Sequence, residues 1–247
     1  MGLLRSLAAA FSFLTRLPVP GGAAVTERDL GRSVLWFPLV GAALGAALIG
    51  AASLLQGRPG HLAAGPTAVV LVALLAALTG GLHLDGLADT FDAWGGGRGD
   101  RTRMLEIMRD SRIGAHGAAA LCLLLVGKVF ALRELLARGA LFPIFAAPVF
   151  ARFAVVPLLI LFRYARPAGL GSPFGRETRA GYALAAALLP IGLCVWAGSR
   201  AVIPAAAALA TALACGWALD RRLGGLTGDV YGAALELAEL AFLISAP

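Results

Sequence analysis

Seven stretches of this chain are long enough, or nearly so, and apolar enough to cross a bilayer, and they constrain its fold more than any other feature. They cover residues 33–56, 65–83, 114–132, 140–162, 180–198, 201–219 and 230–246. About 20 apolar residues on a helix reach across roughly 30 Å of hydrocarbon. Backbone amides find no water there, so each crossing must satisfy its own hydrogen bonds as a helix. Of the 247 residues, 59% are hydrophobic and 14% charged. A soluble domain carries about 25% charged residues. Such a chain cannot cover a water-facing globule, which excludes a soluble enzyme, a disordered chain and an ordinary nucleic-acid binder. The expected architecture is all-α: a polytopic integral membrane bundle of about seven transmembrane helices forming one domain over 1–247. Six crossings result if 180–219 is rearranged.

The net charge of +7 reads as a topogenic excess. With the N-terminus in the cytoplasm, fifteen of the 21 Lys and Arg fall on cytoplasmic segments and four on the far side. Lys128 and Arg152 lie inside spans. That bias predicts a multi-pass protein of the cytoplasmic (inner) membrane. Residues 1–20 are expected to form an amphipathic interfacial helix with Arg5, Ser12 and Arg16 on one face, ended by Pro18 and Pro20. Arg16 interrupts the apolar stretch, so it does not read as a cleaved signal. Gly41 and Gly45 form a small-xxx-small pair suited to close helix packing. Cys122, Cys194 and Cys215 sit in apolar runs and read as buried packing residues.

The carboxylates are clustered. Asp85, Asp89 and Asp92 fall at offsets of four and seven, on one helical stripe among Leu84, Leu87, Ala88, Phe91 and Trp94. A second set is Asp229, Glu236 and Glu239. Two like charges ~6 Å apart repel by about 3 kcal/mol at an effective dielectric of 20. Three on one stripe need protons, arginines or a divalent cation. Oxygen-only ligands favour Mg²⁺, Mn²⁺ or Ca²⁺ over zinc.

Next come Gly95, Gly96, Gly97 and Gly99, which read either as a backbone cradle for phosphate or as a simple loop. Beyond them a short amphipathic helix is expected to run into the third span. It carries Arg101, Arg103, Arg109 and Arg112 close to the carboxylates. Arginine forks match phosphate oxygens, so the segment 85–112 is expected to be a cytoplasmic site for a diphosphate substrate, anchoring at the membrane surface being the alternative role for any one of these arginines. His83 and His116 fit a base, a ligand or a packing role, a lone histidine on an apolar face being more often structural. Lys128 and Arg152 should pair with acidic groups, Glu236 and Glu239 being the candidates.

At these residues the chain resembles the adenosylcobinamide-GDP ribazoletransferase (cobalamin 5′-phosphate synthase) family. The pieces are FSFLTRLPVP (11–20), FPLVGAALG (37–45), GGLHLDGLADTFDA (80–93), RMLEIMRDSRIGAHG (103–117) and LGGLTGDVYGAALELAEL (223–240). The region 140–215 matches mainly in hydropathy. The resemblance implies an integral membrane enzyme that needs Mg²⁺. It joins adenosylcobinamide-GDP to α-ribazole or α-ribazole 5′-phosphate and releases GMP. On that basis Asp85, Asp89 and Asp92 are expected to hold the metal, and Arg109 and Arg112 to clamp phosphate. Asp92 or Asp110 would accept the hydroxyl proton, and His116, Asp229 and Glu236 would stand in the wider site. The N-terminal helix is expected to form one wall of a cavity for the corrinoid. A homo-oligomer is compatible with the sequence. The rival is a transporter using Lys128, Arg152, Glu236 and Glu239 as an intramembrane pathway.

Overall fold

The computed structural model describes residues 2–18, 25–57, 62–166, 174 and 177–247. Pro20, and Arg58 and Arg176 among the arginines counted above, lie outside the described residues. The chain folds into helices: α1 (Gly2–Leu14), α2 (Glu27–Ser33), α3 (Phe37–Gln56), α4 (Ala64–Thr79), α5 (Leu82–Gly96) and α6 (Arg101–Ile107). They continue as α7 (Ala115–Ala137), α8 (Leu141–Leu161), α9 (Ala180–Ala186), α10 (Leu188–Ala197), α11 (Ser199–Leu223) and α12 (Gly228–Ser245).

Among the described residues, five stretches are long and apolar enough to cross a membrane: Glu27–Gln56, Ala115–Ala137, Leu141–Leu161, Ala180–Ala197 and Ser199–Leu223. Counting α4 and α5 as one broken crossing gives six. The chain is thus a multi-pass membrane protein, but the count of seven is not reached. The seventh expected span, α12, carries Asp229, Glu236 and Glu239. It runs through the middle of the bundle, packed on α5, α7, α8 and α11.

The run 65–83 does not form one straight helix. α4 stops at Thr79, and α5 leaves at 92°. The cause is Gly80 and Gly81, both with left-handed backbones (φ 65° and 70°). The Gly81 N–H donates to Ala76 O (3.0 Å) and the Gly80 N–H to Ala77 O (3.2 Å), closing the helix end as a Schellman cap. We take α4 as the crossing limb and α5 as the limb that turns across the bundle.

α1 ends at Leu14, earlier than the expected face containing Arg16. The Thr15 hydroxyl donates back to Phe11 O (2.7 Å), and the Arg16 N–H donates to Leu78 O (2.7 Å). Arg16 is thereby moved off the helix and onto the break at Gly80, where a Cβ would lie 2.3 Å from the Arg16 side chain. Leu3 and Leu4 remain exposed on α1, as an interfacial helix requires. Cys122 is exposed on α7, contrary to the packing role expected of it.

Glycines set two close helix crossings. A Cβ on Gly41 would lie 2.4 Å from Pro148 O, and one on Gly45 2.2 Å from Phe145 O. The small-xxx-small pair therefore lets α3 touch the α8 backbone, as expected from sequence. The second crossing is α5 on α12, where a Cβ on Gly86 would meet the Asp229 carbonyl at 2.7 Å and one on Gly232 would meet His83 Cα at 3.2 Å. Gly86→Ala is expected to push these helices apart and lower both the melting temperature and turnover. Retention of both in the purified variant would show that the close approach is dispensable.

Candidate active site

The α5–α12 crossing brings Asp229 beside Asp85 and Asp89. Asp85 and Asp89 project from α5, and Asp229 stands in the first turn of α12. Thr227 caps α12: its hydroxyl accepts from Val230 N (3.3 Å) and donates to Asp229 Oδ2 (3.2 Å). The same Oδ2 accepts from Arg166 Nη2 at 3.0 Å. Arg166 is placed by backbone pairing: Leu226 N donates to Arg163 O and Ala165 N to Leu226 O, each at 2.8 Å. Arg101 closes the joint from α6, donating to Leu223 O (2.6 Å) and Ala165 O (3.1 Å). Arg222 stacks on Trp94 with its guanidinium 3.8 Å from the ring centroid, fixing the end of α5 against α11.

Neither the Asp85 nor the Asp89 carboxylate has a hydrogen-bonded or ion-paired partner among the described residues. Burial, and then the negative charges of Asp85, Asp229 and Asp92, push the Asp89 carboxyl up to about 7 against the pull of Arg166. Burial also raises the Asp229 carboxyl above its ordinary value in spite of Arg166. The cluster repels itself, which is the situation a divalent cation relieves. No three Asp, Glu, His or Cys among the described residues form a complete metal cage. Mg²⁺ seldom needs one, since one or two carboxylates plus substrate phosphates and water commonly hold it. Asp85 and Asp89, unpaired and one helical turn apart, fit that pattern.

Two pockets meet at Asp85. One, of about 400 Å³, has Arg16, Asp85, Asp89 and Arg112 on its walls. The other, of about 220 Å³, is lined by aromatic side chains together with His83, Asp85, Arg166 and Asp229. Phe13 and Leu14 of α1 line this second pocket, so the N-terminal helix does form a cavity wall.

Asp92 and Asp110 are committed elsewhere. The Asp92 oxygens accept from Gly114 N (2.7 Å) and Gly117 N (2.8 Å). Asp92 thus serves the open N-terminus of α7 and ties it to α5. A Cβ on Gly114 or Gly117 would lie 2.4 or 2.3 Å from its carboxylate, which accounts for both glycines. Asp92→Asn is expected to destabilise the fold by about 1–2 kcal/mol with Mg²⁺ affinity unchanged. A variant that melts like wild type but needs more Mg²⁺ would return Asp92 to the metal. Asp110 accepts a two-pronged bond from Arg112, Nε to Oδ1 at 2.9 Å and Nη2 to Oδ2 at 2.6 Å. That pairing holds its carboxyl down to about 2, too low for a base at neutral pH. Arg109 and His116 are exposed, and His116 packs on Gly95, where a Cβ would lie 2.4 Å from its ring. The glycine run is not an open cradle: α5 continues through Gly96, and Gly97 makes room for Met104.

Glu236 lies two turns further along α12 in a buried charge cluster. Lys128 pairs with Glu236 and, at 2.7 Å, with Glu239; Arg152 pairs with Glu239. This is the pairing expected from sequence. The pocket beside it holds about 10 Å³, at most a single water. An intramembrane pathway finds no room there. Sequence reasoning overlooked Arg166 as a site residue; its signal, a basic residue just after an apolar run, is shared with several other arginines.

The profile of the cobalamin-5-phosphate synthase family matches residues 6–246. This chain belongs to that family. An adenosylcobinamide-GDP ribazoletransferase of Pseudomonas paraeruginosa is 42% identical over 245 residues, 98% of this chain and 97% of the relative. One of Klebsiella pneumoniae (strain 342) is 43% identical over 249 residues, covering 98% and 99%. No solved structure matches. The family match and the charge clusters together favour an enzyme over a transporter.

Proposed function

We propose that this chain is an adenosylcobinamide-GDP ribazoletransferase, the enzyme of the nucleotide-loop assembly step of cobalamin biosynthesis. It joins adenosylcobinamide-GDP to α-ribazole or its 5′-phosphate and releases GMP. The observation that carries the reading is the meeting of Asp85, Asp89, Asp229 and Arg166, from three separate stretches, at the join of two pockets in a chain collinear with relatives of that name.

In this reading the diphosphate lies in the pocket walled by Asp85, Asp89, Arg16 and Arg112, where the arginines offset its charge. Mg²⁺, held by Asp85 and Asp89, would stabilise negative charge on the phosphate oxygens. Arg166, held in place by Asp229, reaches the phosphoryl group being transferred. The hydroxyl of the acceptor attacks the phosphorus that bears the cobinamide, the bond to the GMP oxygen breaks, and GMP departs. The hydroxyl proton passes to Asp229 Oδ1, because both hydrogen bonds to that carboxylate fall on Oδ2. The arginine bias supports an inner-membrane protein with its N-terminus and site facing the cytoplasm.

Protein stripped with EDTA is expected to release no GMP and to recover on titration with Mg²⁺. Full turnover after exhaustive chelation would refute the metal assignment.

A further inference from the structure

We propose that the aromatic pocket beneath α1 is the seat of the acceptor's heterocyclic base, an inference that rests on the transferase reading above. Its wall is a triangle of phenylalanines. Phe13 and Phe174 have ring centroids 4.7 Å apart, Phe37 and Phe174 5.8 Å, and Phe13 and Phe37 6.4 Å. Phe13 comes from α1, Phe37 from the start of α3, and Tyr231 closes the pocket from α12. At these distances the three rings pack on one another, and the side of the cluster that lines the pocket presents a surface on which a flat ring can stack.

A second, independent feature shows that the ligand also has polar atoms. Six buried side-chain polar atoms lack a hydrogen-bond partner among the described residues. Three of them, His83 Nδ1, Arg166 Nε and Tyr231 Oη, belong to residues lining this one pocket. Buried polar groups are nearly always bonded, and leaving them so is costly. Three orphans on one pocket mark a place where a ligand completes the set.

A benzimidazole riboside suits both features. Its bicycle is planar and mostly apolar, and its unsubstituted ring nitrogen accepts from the Tyr231 hydroxyl. Its sugar then lies beside Asp85 and Asp229, which line the same pocket.

The test is binding of α-ribazole, with no donor present, to the full-length protein in detergent, beside steady-state kinetics. Phe13→Ala and Tyr231→Phe are each expected to weaken α-ribazole about tenfold, and bare benzimidazole should compete with it. In turnover, both variants should raise KM for α-ribazole 5′-phosphate while KM for adenosylcobinamide-GDP stays within about twofold. Tyr231→Phe removes only a hydroxyl, so it guards against misfolding of the Phe13 variant. A raised donor KM with acceptor binding unchanged would give the pocket to guanine and overturn the proposal. So would a wild-type enzyme that turns over normally while neither variant alters acceptor binding; the transferase reading would then survive. Wild-type protein that binds α-ribazole through Phe13 and Tyr231 but releases no GMP supports the pocket and sinks the reaction. Wild-type protein that does neither refutes both.

Discussion

Asp89→Asn is expected to cut kcat by at least about a hundredfold, the scale on which a single transition-state electrostatic contact is lost, while the protein stays folded. Among the described residues the carboxylate has no hydrogen-bonded or ion-paired partner to lose. Its neighbours Asp85, Asp229 and Asp92 are all negative, so the amide relieves repulsion. The sign of the pH effect follows. Folding raises this carboxyl from 3.8 to about 7, so the folded state holds its proton more tightly than the unfolded chain. That contribution is complete below about pH 4 and is lost as pH rises through about 7. In EDTA the wild type should therefore lose stability between those values, and the asparagine variant should lose less. Initial GMP release against Mg²⁺ concentration and melting temperature against pH are the two readouts. A fully active variant would remove Asp89 from the site.

Lys128→Met is expected to destabilise the fold by roughly 3–5 kcal/mol. Lys128 bridges Glu236 and Glu239, and all three side chains are at most 6% exposed. Removing the ammonium leaves two buried carboxylates facing one guanidinium, that of Arg152. Taking out Glu236 as well restores the balance, so Lys128→Met with Glu236→Leu should regain most of the loss. Thermal unfolding of both proteins in one detergent checks this. Equal melting temperatures for wild type and Lys128→Met would mean that the cluster is solvated rather than closed.

These two sites also show how far the sequence could be read. The apolar runs foretold most helices, because a crossing helix must be long and apolar whatever surrounds it. The acidic stripe was visible as a four-and-seven spacing, and Lys128 and Arg152 announced partners simply by lying in hydrocarbon. Sequence periodicity could not show that Gly80 and Gly81 turn the chain through 92°, because it does not distinguish a packing glycine from a left-handed one. Nor could it separate Asp92 from Asp85 and Asp89. They share a stripe, but only Asp92 meets the amides of α7, and those amides are placed by a loop more than 20 residues downstream. Arg166 was hidden for the same reason: its neighbour Asp229 lies 63 residues away.

The transfer itself is tested most directly by incubating the purified full-length protein with adenosylcobinamide-GDP, α-ribazole 5′-phosphate and Mg²⁺, and quantifying GMP and corrinoid product together. GMP and adenosylcobalamin 5′-phosphate should appear in equal amounts, and both should form at least about a hundredfold more slowly with the Asp89→Asn variant. Well-folded protein that yields no GMP, or GMP without a corrinoid product, would contradict the account.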